Sequence, residues 1–242
     1  MKAVIVAAGM GTRMNGEKPK TLLPFHGETV LSTIIGNITK TGITEIIIVV
    51  GYQADHIREY ISKSNARMDA EISLVENPQF RRGNGISVLA SEHAVGNDTF
   101  ILSMSDHIVS APAIERVVKR ASAANLLLVD RRISENFDID DATKVQTEGL
   151  HADGDRILRI GKELTEYNTL DCGIFRLTQR FYESMRTQLT HDRESISDAI
   201  KGLIRNNDME AVYMQDKEQW FDIDTPEAYS DALSHTSQKS SD

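Results

Sequence analysis

With Cys172 as its single cysteine, the chain can close no internal disulfide and build no thiolate-rich zinc site. Proline is scarce, with 5 in 242 residues, and no stretch is rich enough in Pro, Gly or Ser to separate two independent domains. Internal repeats are missing. Long apolar runs are missing too: Ile46-Ile47-Ile48-Val49-Val50 falls far short of the ~20 residues that a membrane-spanning helix needs. Met1-Lys2 leads straight into Ala3-Val4-Ile5-Val6-Ala7-Ala8 and a glycine loop, so the amino terminus reads as the first strand of the fold and not as a cleaved leader. A cytoplasmic location is therefore expected. Positive charge is in deficit. A formal net charge of −9 argues against general nucleic-acid binding. It also means that a site for anionic substrates must concentrate its cations locally.

What is present describes a globular α/β chain. Hydrophobic residues make up 40% and charged residues 26%, enough for a real core under a solvated surface. Residues 2–7 and 45–50 form short apolar runs without alternation, the pattern of strands buried on both faces. Between them Val30, Leu31, Ile34, Ile35 and Ile38 recur at helical spacing, with Gly42 at the end. Helices are expected near 53–63 and from Asn84, and strands near 71–75 and 99–104. A helix near 111–123 leads to the strand Leu126-Leu127-Leu128-Val129. This alternation predicts a mainly parallel mixed sheet covered on both faces, a three-layer α/β/α fold of Rossmann-like kind. Shorter strands near 142–147, 155–160 and 171–177 predict a β extension over about 130–178 at the active-site end. Two helices, a strand near 210–214 and a last helix from Thr225-Pro226 complete a single domain over 1–233. A polar tail covers 234–242.

The strongest local signal is Ala7-Ala8-Gly9-Met10-Gly11-Thr12-Arg13, followed by Lys18-Pro19-Lys20. Glycines after a buried strand let the backbone approach a phosphate and turn its N–H groups inward. Arg13, Lys18 and Lys20 supply the local positive charge. The dinucleotide pattern fails because Met14 stands where a small residue is needed, and the P-loop pattern fails because Glu17-Lys18 follows Gly16.

At these residues the chain resembles the sugar-nucleotidyltransferase superfamily, whose fold resembles that of GT-A glycosyltransferases. Later blocks narrow the resemblance: Gly83-Asn84-Gly85-Ile86-Ser87, Ser105-Asp106-His107, Asp141-Ala142-Thr143-Lys144-Val145, Ile160-Gly161-Lys162, Asp171-Cys172-Gly173 and Trp220-Phe221-Asp222-Ile223-Asp224-Thr225. Together they are similar to the CTP:inositol-1-phosphate cytidylyltransferases. The resemblance implies transfer of CMP from CTP to a small phosphorylated alcohol, inositol 1-phosphate, giving CDP-inositol and pyrophosphate. Some relatives of that kind are fused to a membrane phosphatidyltransferase-like domain, and the expectation here is the stand-alone form. No membrane segment is expected, and a homo-oligomer is admitted as a partner. Two positions depart from the pattern. Ser105 stands where glycine is usual, which requires a backbone without positive φ. Cys172 stands where threonine is usual, within a block that the resemblance assigns to the acceptor pocket.

The resemblance also implies roles. Ala7, Ala8, Gly9, Gly11, Thr12, Arg13 and Lys20 would hold the nucleotide, with Arg13 and Lys20 stabilising charge during transfer. Gly83 and Asn84 would lie near the base, and Asn84 also reads as a helix cap. Asp106 and Asp222 would hold Mg²⁺, a hard ion that takes carboxylate, phosphate and water oxygens. Asp224 is the competing metal candidate. Asp222 and Asp224 each also admit a reading as a cap of the last helix, the favoured one for Asp224, directly before Thr225-Pro226. Lys162, with Lys144 and Asp141, would line the acceptor pocket. Neither His107 nor His26 is assigned as a base, because a phosphate monoester is already largely ionised at pH 7. Rival readings are transfer to a sugar 1-phosphate or to phosphocholine, a molybdenum-cofactor guanylyl- or cytidylyltransferase, and a catalytically silent nucleotide-binding subunit.

Overall fold

The computed structural model describes residues 1–11, 19–64, 68–133, 139–149 and 152–237. Strand β1 (Lys2–Ala7) is followed by a 3-10 turn at Lys20–Leu22 and a small hairpin of β2 (Pro24–Phe25) and β3 (Glu28–Thr29). Next come α1 (Val30–Thr39), β4 (Glu45–Val50), α2 (Ala54–Ser64), β5 (Glu71–Glu76), α3 (Asn84–Ala90), α4 (Glu92–Val95), β6 (Phe100–Met104), β7 (His107–Val109) and α5 (Ala111–Lys119). The second half holds β8 (Asn125–Asp130), β9 (Lys144–Thr147), β10 (Ile157–Gly161), β11 (Thr169–Leu177), α6 (Gln179–Leu189), α7 (Ile196–Arg205), β12 (Met209–Tyr213), β13 (Trp220–Asp222) and α8 (Pro226–Ser237). No helix among the described residues is long and apolar enough to cross a membrane.

The main sheet runs β12-β8-β11-β6-β1-β4-β5. Neighbours are parallel except at β11, which is antiparallel to both β6 and β8. Alternation along β1 builds the three layers. Ala3, Ile5 and Ala7 pack with α1, α2 and α5 on one face. Val4, Val6 and Ala8 pack with α3, α6 and α7 on the other. Each fully buried Ile, Leu or Val stabilises by roughly 1.5–3 kcal/mol relative to exposure, so this two-faced burial fixes the sheet and the positions of its strand ends.

Local signals set the helix starts. Thr29 with Ser32, and Ser195 with Asp198, form reciprocal capping boxes for α1 and α7. Helix α5 stops at Lys119, short of the expected 123. The buried Arg176 takes the carbonyls of Arg120 and Ser122 (2.8 Å to the latter), and Arg120 itself leaves the helical region. The expected extension over 130–178 is divided. Only the β9–β10 hairpin is an annex, joined to β11 through Thr169 and Leu170. Most of β11 belongs to the centre of the main sheet. Helix α8 runs through Ser237, into the stretch read as tail. A two-stranded ladder of β7 and β13 escaped the sequence reading, and it pairs His107 with Asp222.

Candidate active site

A cleft of about 380 Å³ opens at the carboxyl ends of β1 and β6, within the usual size range for a small-ligand site. Its floor includes Ala7, Gly9, Gly11 and Lys20. Gly11 has φ +55°, and a Cβ there would lie 3.7 Å from the Lys20 side chain. Conformation, and not space, therefore demands glycine. Ala8 is buried off the cleft, and its carbonyl accepts the Tyr52 N–H at 3.1 Å. Thr12, Arg13 and Lys18 lie outside the described residues.

The centre is a cluster of paired charges. Lys20 Nζ donates to Asp106 Oδ2 at 2.6 Å and to Asp224 Oδ1. Burial opposes the charge on Lys20, but Asp106 and Asp224 outweigh it and hold its pKa above the ordinary lysine value. Burial likewise opposes ionisation of Asp106, and Lys20 and His107 overcome it, keeping Asp106 well below the usual carboxylate range. His107 Nδ1 meets Asp106 Oδ1 at 2.9 Å, while its Nε2 lies 3.8 Å from Asp222 Oδ2. Against burial, Asp222 and Asp106 push its pKa up to about 9. Both ring nitrogens thus face carboxylates, an environment that favours the imidazolium over a general base.

The ring of His107 is clamped. It stacks on Trp220 with centroids 5.7 Å apart and planes 9° from parallel. Trp220 Nε1 is anchored on Asp130 Oδ2 at 2.8 Å. On another side sits Gly173, at φ +75°, where a Cβ would come within 2.6 Å of the imidazole. The Gly173 N–H donates to Asp171 Oδ1 at 2.7 Å. Burial pushes the Asp171 carboxyl up to about 6, partly offset by that N–H. The sequence reading quoted His107, Asp171, Gly173 and Trp220 within the blocks that narrow the resemblance, but not their mutual packing.

Thr225 Oγ1 accepts the Ala228 N–H at 3.1 Å and takes the cap position of α8, while Asp224 pairs with Lys20. Asp222 is no cap either. Its Oδ1 is buried without a hydrogen-bond partner among the described residues. Burial, with Asp106 and Asp224 nearby, pushes its pKa up to about 6 against the pull of His107. Ligand atoms of Asp106, His107 and Asp222 lie within 4.8 Å of one another. An orphaned buried carboxylate oxygen beside further carboxylates is the donor set that a hard divalent cation requires.

Across the cleft, Lys162 Nζ pairs with Asp141 Oδ1 at 2.7 Å, and both residues line the wall. Lys144 is a correction. It is buried, and its ammonium donates to the carbonyls of Asp140 at 3.0 Å and Lys162 at 2.9 Å. It ties the two acceptor-side loops together instead of facing the cleft. Gly83 is a second correction, because its small size serves packing. A Cβ there would lie 2.4 Å from the Glu194 carbonyl oxygen. Asn84 does line the cleft, and its Oδ1 accepts the Ile196 N–H at 2.9 Å. The cap position of α3 is Gly83, so Asn84 docks α7 instead of capping its own helix. His26 is an exposed turn residue with φ 47°. Ser105 is not among the residues with positive φ, so serine fits where glycine is usual. Cys172 is fully buried in the core and does not touch the cleft.

A mainly parallel sheet with a glycine turn and an acidic cluster at its carboxyl edge defines the class of α/β nucleotidyltransferases. Within it, the chain belongs to the family of the MobA-like NTP transferase domain, whose model matches residues 3–135. Similarity extends beyond that stretch. The "Bifunctional IPC transferase and DIPP synthase" of Archaeoglobus fulgidus is 34% identical over 228 residues, which cover 94% of this chain and 42% of that protein. The chain thus spans less than half the length of that relative. In fold it matches the inositol-1-phosphate CTP transferase from T. maritima, with TM-score 0.82, 24% identity and coverage of 98% of this chain and 96% of the other. A UDP-glucose pyrophosphorylase complexed with UDP-glucose superposes with TM-score 0.84 at 18% identity, over 98% of both chains.

Proposed function

We propose that the chain transfers CMP from CTP to inositol 1-phosphate, releasing pyrophosphate and forming CDP-inositol, in a Mg²⁺-dependent reaction in the cytoplasm. The observation that carries the reading is the Lys20–Asp106–Asp224 cluster beside the orphaned oxygen of Asp222, facing Lys162 across one cleft. The names of the A. fulgidus and T. maritima relatives, one an IPC transferase and the other an inositol-1-phosphate CTP transferase, support the choice of nucleotide and acceptor.

The chemistry needs little from the protein beyond placement and charge. An acceptor phosphate oxygen attacks the α-phosphorus of CTP, a new P–O bond forms, and the bond to pyrophosphate breaks. The acceptor phosphate is already ionised at pH 7, so no residue has to remove a proton. Asp106 and Asp222 would hold Mg²⁺, with Asp224 beside them. When bound, the ion neutralises phosphate charge and polarises the oxygens that it holds. Lys20, held between Asp106 and Asp224, would present its ammonium to the phosphates, with Arg13 as its partner, and stabilise the charge that develops on the leaving pyrophosphate. His107, clamped between Trp220 and Gly173, keeps Asp106 and Asp222 in register. Lys162 releases Asp141 and takes the acceptor phosphate, which fixes it for in-line attack. CTP and inositol 1-phosphate are both water-soluble, in keeping with a cytoplasmic setting.

The test is pyrophosphate release over a matrix of nucleoside triphosphates and phosphorylated alcohols. The expected result is a maximum at CTP with inositol 1-phosphate. A maximum at UTP with a sugar 1-phosphate would replace this reading, and release from no combination would make the chain a silent binder.

A further inference from the structure

The mouth of the cleft carries a contact that the proposed reaction leaves unused. Met10 stands between Gly9 and Gly11, which both line the cleft, and its own side chain is exposed. Its sulfur accepts a weak hydrogen bond from Arg81 Nη1 at 3.7 Å. The same guanidinium lies over the ring of Phe80, 5.2 Å from the centroid, and Phe80 is itself a lining residue. Phe80 is seated closely, because a Cβ on Gly51 would lie 2.5 Å from it and 3.0 Å from Ala8. Met10, Arg81 and Phe80 thus bridge the glycine loop and the segment that leads into α3.

Two properties make this bridge adjustable. A thioether is a poor acceptor, so the sulfur contact contributes little as it stands. Arg81 is also uncommitted. No carboxylate among the described residues pairs with it, whereas its neighbour Arg82 is held on Glu194 Oε1 at 2.9 Å. A stronger acceptor in place of the sulfur would find a cation already there. Met10 is, in addition, well placed to meet an oxidant. Among the described methionines only Met1 is as exposed, at 45% against 41%. Met68 and Met104 are half-buried, and Met185, Met209 and Met214 are buried. The one thiol, Cys172, is buried too and offers no competing target.

We propose that Met10 is an oxidation site that governs nucleotide exchange, its sulfoxide oxygen pairing with Arg81 to fasten the glycine loop to the Phe80 segment. A hydroperoxide is the oxidant. With hydrogen peroxide the thioether gives up two electrons, one peroxide oxygen becomes the sulfoxide oxygen, and the other leaves as water with both protons. A dithiol-dependent methionine sulfoxide reductase reverses the step and releases water and a disulfide. The sulfoxide oxygen is a far better acceptor than sulfur, and the guanidinium donor makes the new bond charge-assisted. A fastened loop admits and releases nucleotide more slowly, while the acceptor side at Lys162 and Asp141 is untouched. This regulation rests on the proposed function in taking the cleft as a nucleotide site.

The test treats the wild-type protein with hydrogen peroxide and locates the added oxygen by tryptic mass mapping. Cleavage after Arg13 separates Met10 from Met14. Met10 should be oxidised ahead of every described methionine except Met1. Then kcat/KM for the preferred nucleoside triphosphate, expected to be CTP, should fall about three- to tenfold, with the KM for the acceptor within about twofold. Nucleotide association followed by stopped flow without acceptor should slow by a similar factor, and reductase with dithiothreitol should restore both. Met10→Leu cannot form the sulfoxide, and Arg81→Gln lacks the cation. Against its own untreated sample, each variant should lose less than about twofold. A Met10 that stays reduced, an unchanged association rate after its oxidation, or an equal loss in either variant would overturn the proposal. Preference for another triphosphate would remove the proposed CTP reaction and leave this test intact, and binding of none would remove both.

Discussion

The cleft holds two lysines that differ in almost every physical respect. The Lys20 side chain is 16% exposed and is held by two carboxylates. The Lys162 side chain is 56% exposed and is held by one, on a residue that is itself partly exposed. A buried, doubly paired ammonium cannot be removed without leaving carboxylates uncompensated. A rim pair such as Lys162–Asp141 contributes about 0–1 kcal/mol and opens readily. The first arrangement suits a fixed electrostatic wall against which phosphate charge develops. The second suits a hand that must release one anion to take another. Substitutions on the two sides of the cleft should therefore fail in different ways.

The largest effect is expected at Asp106. Asp106→Asn retains the shape of the side chain but removes an anion that Lys20, His107 and the expected Mg²⁺ all share. Pyrophosphate release should fall about 10²–10³-fold with the fold retained. Chelation of divalent ions by EDTA should abolish wild-type turnover, and added Mg²⁺ should restore it. Full activity in EDTA would remove Mg²⁺ from the mechanism and leave the acidic cluster as a purely structural counter-charge for Lys20 and His107.

Lys20→Ala comes next. It should lower kcat about 10²-fold with both substrates saturating, because the lost charge acts mainly in the transition state. It also removes the cation that bridges Asp106 and Asp224. The melting temperature should therefore drop in EDTA and recover in part on addition of Mg²⁺. Lys162→Ala should behave otherwise. The KM for inositol 1-phosphate should rise about tenfold while the KM for CTP stays within about twofold, and the melting temperature should not move. Lys162→Arg should restore charge but not the lost turnover, because a planar guanidinium cannot occupy the ammonium's position. Steady-state kinetics with each substrate varied in turn, and a thermal melt of each variant, would show the contrast. A rise in the KM for CTP from Lys162→Ala would erase it.

Much of this architecture was legible in the sequence, for identifiable reasons. β1, β4 and β8 each carry an unbroken apolar run without alternation, the pattern of burial on both faces. Asp106 follows such a strand, so its place at the carboxyl edge could be read directly. The rest was hidden by length or by competition between meanings. β7 and β13 are each 3 residues long, too short to show a period, yet their pairing joins Asp106-His107 to Asp222. Asp224 carries a helix-cap signature, and only the structure shows Thr225 taking that role first. Lys144 looks like any surface lysine until the carbonyls of Asp140 and Lys162 converge on it. Gly83 was assigned to a ligand because glycine permits close approach, and here the backbone that approaches is the chain's own, at Glu194.

The smallest effect is expected at Cys172, and it probes how far the acceptor wall extends. The side chain belongs to the same strand as Asp171 and Gly173, both on the cleft. Alternation along β11 turns it into the core, where it is fully buried with its thiol directed to the Leu170 carbonyl at 3.8 Å. Burial, with Asp130 and Asp171 nearby, pushes the thiol well above its usual pKa, so it stays neutral and unreactive. Cys172→Thr replaces one small side chain by another that is β-branched and suited to a strand, with a hydroxyl able to donate to the same carbonyl. Stability should change by about 1–2 kcal/mol at most, set by whether the buried hydroxyl keeps that carbonyl as its partner. Both Michaelis constants should stay within about twofold of the wild type, and a thiol reagent should label the wild-type protein only after unfolding. A selective change in the KM for inositol 1-phosphate would mean that residue 172 reaches the acceptor through a shift of Asp171 or Gly173, and that the wall is softer than its burial implies.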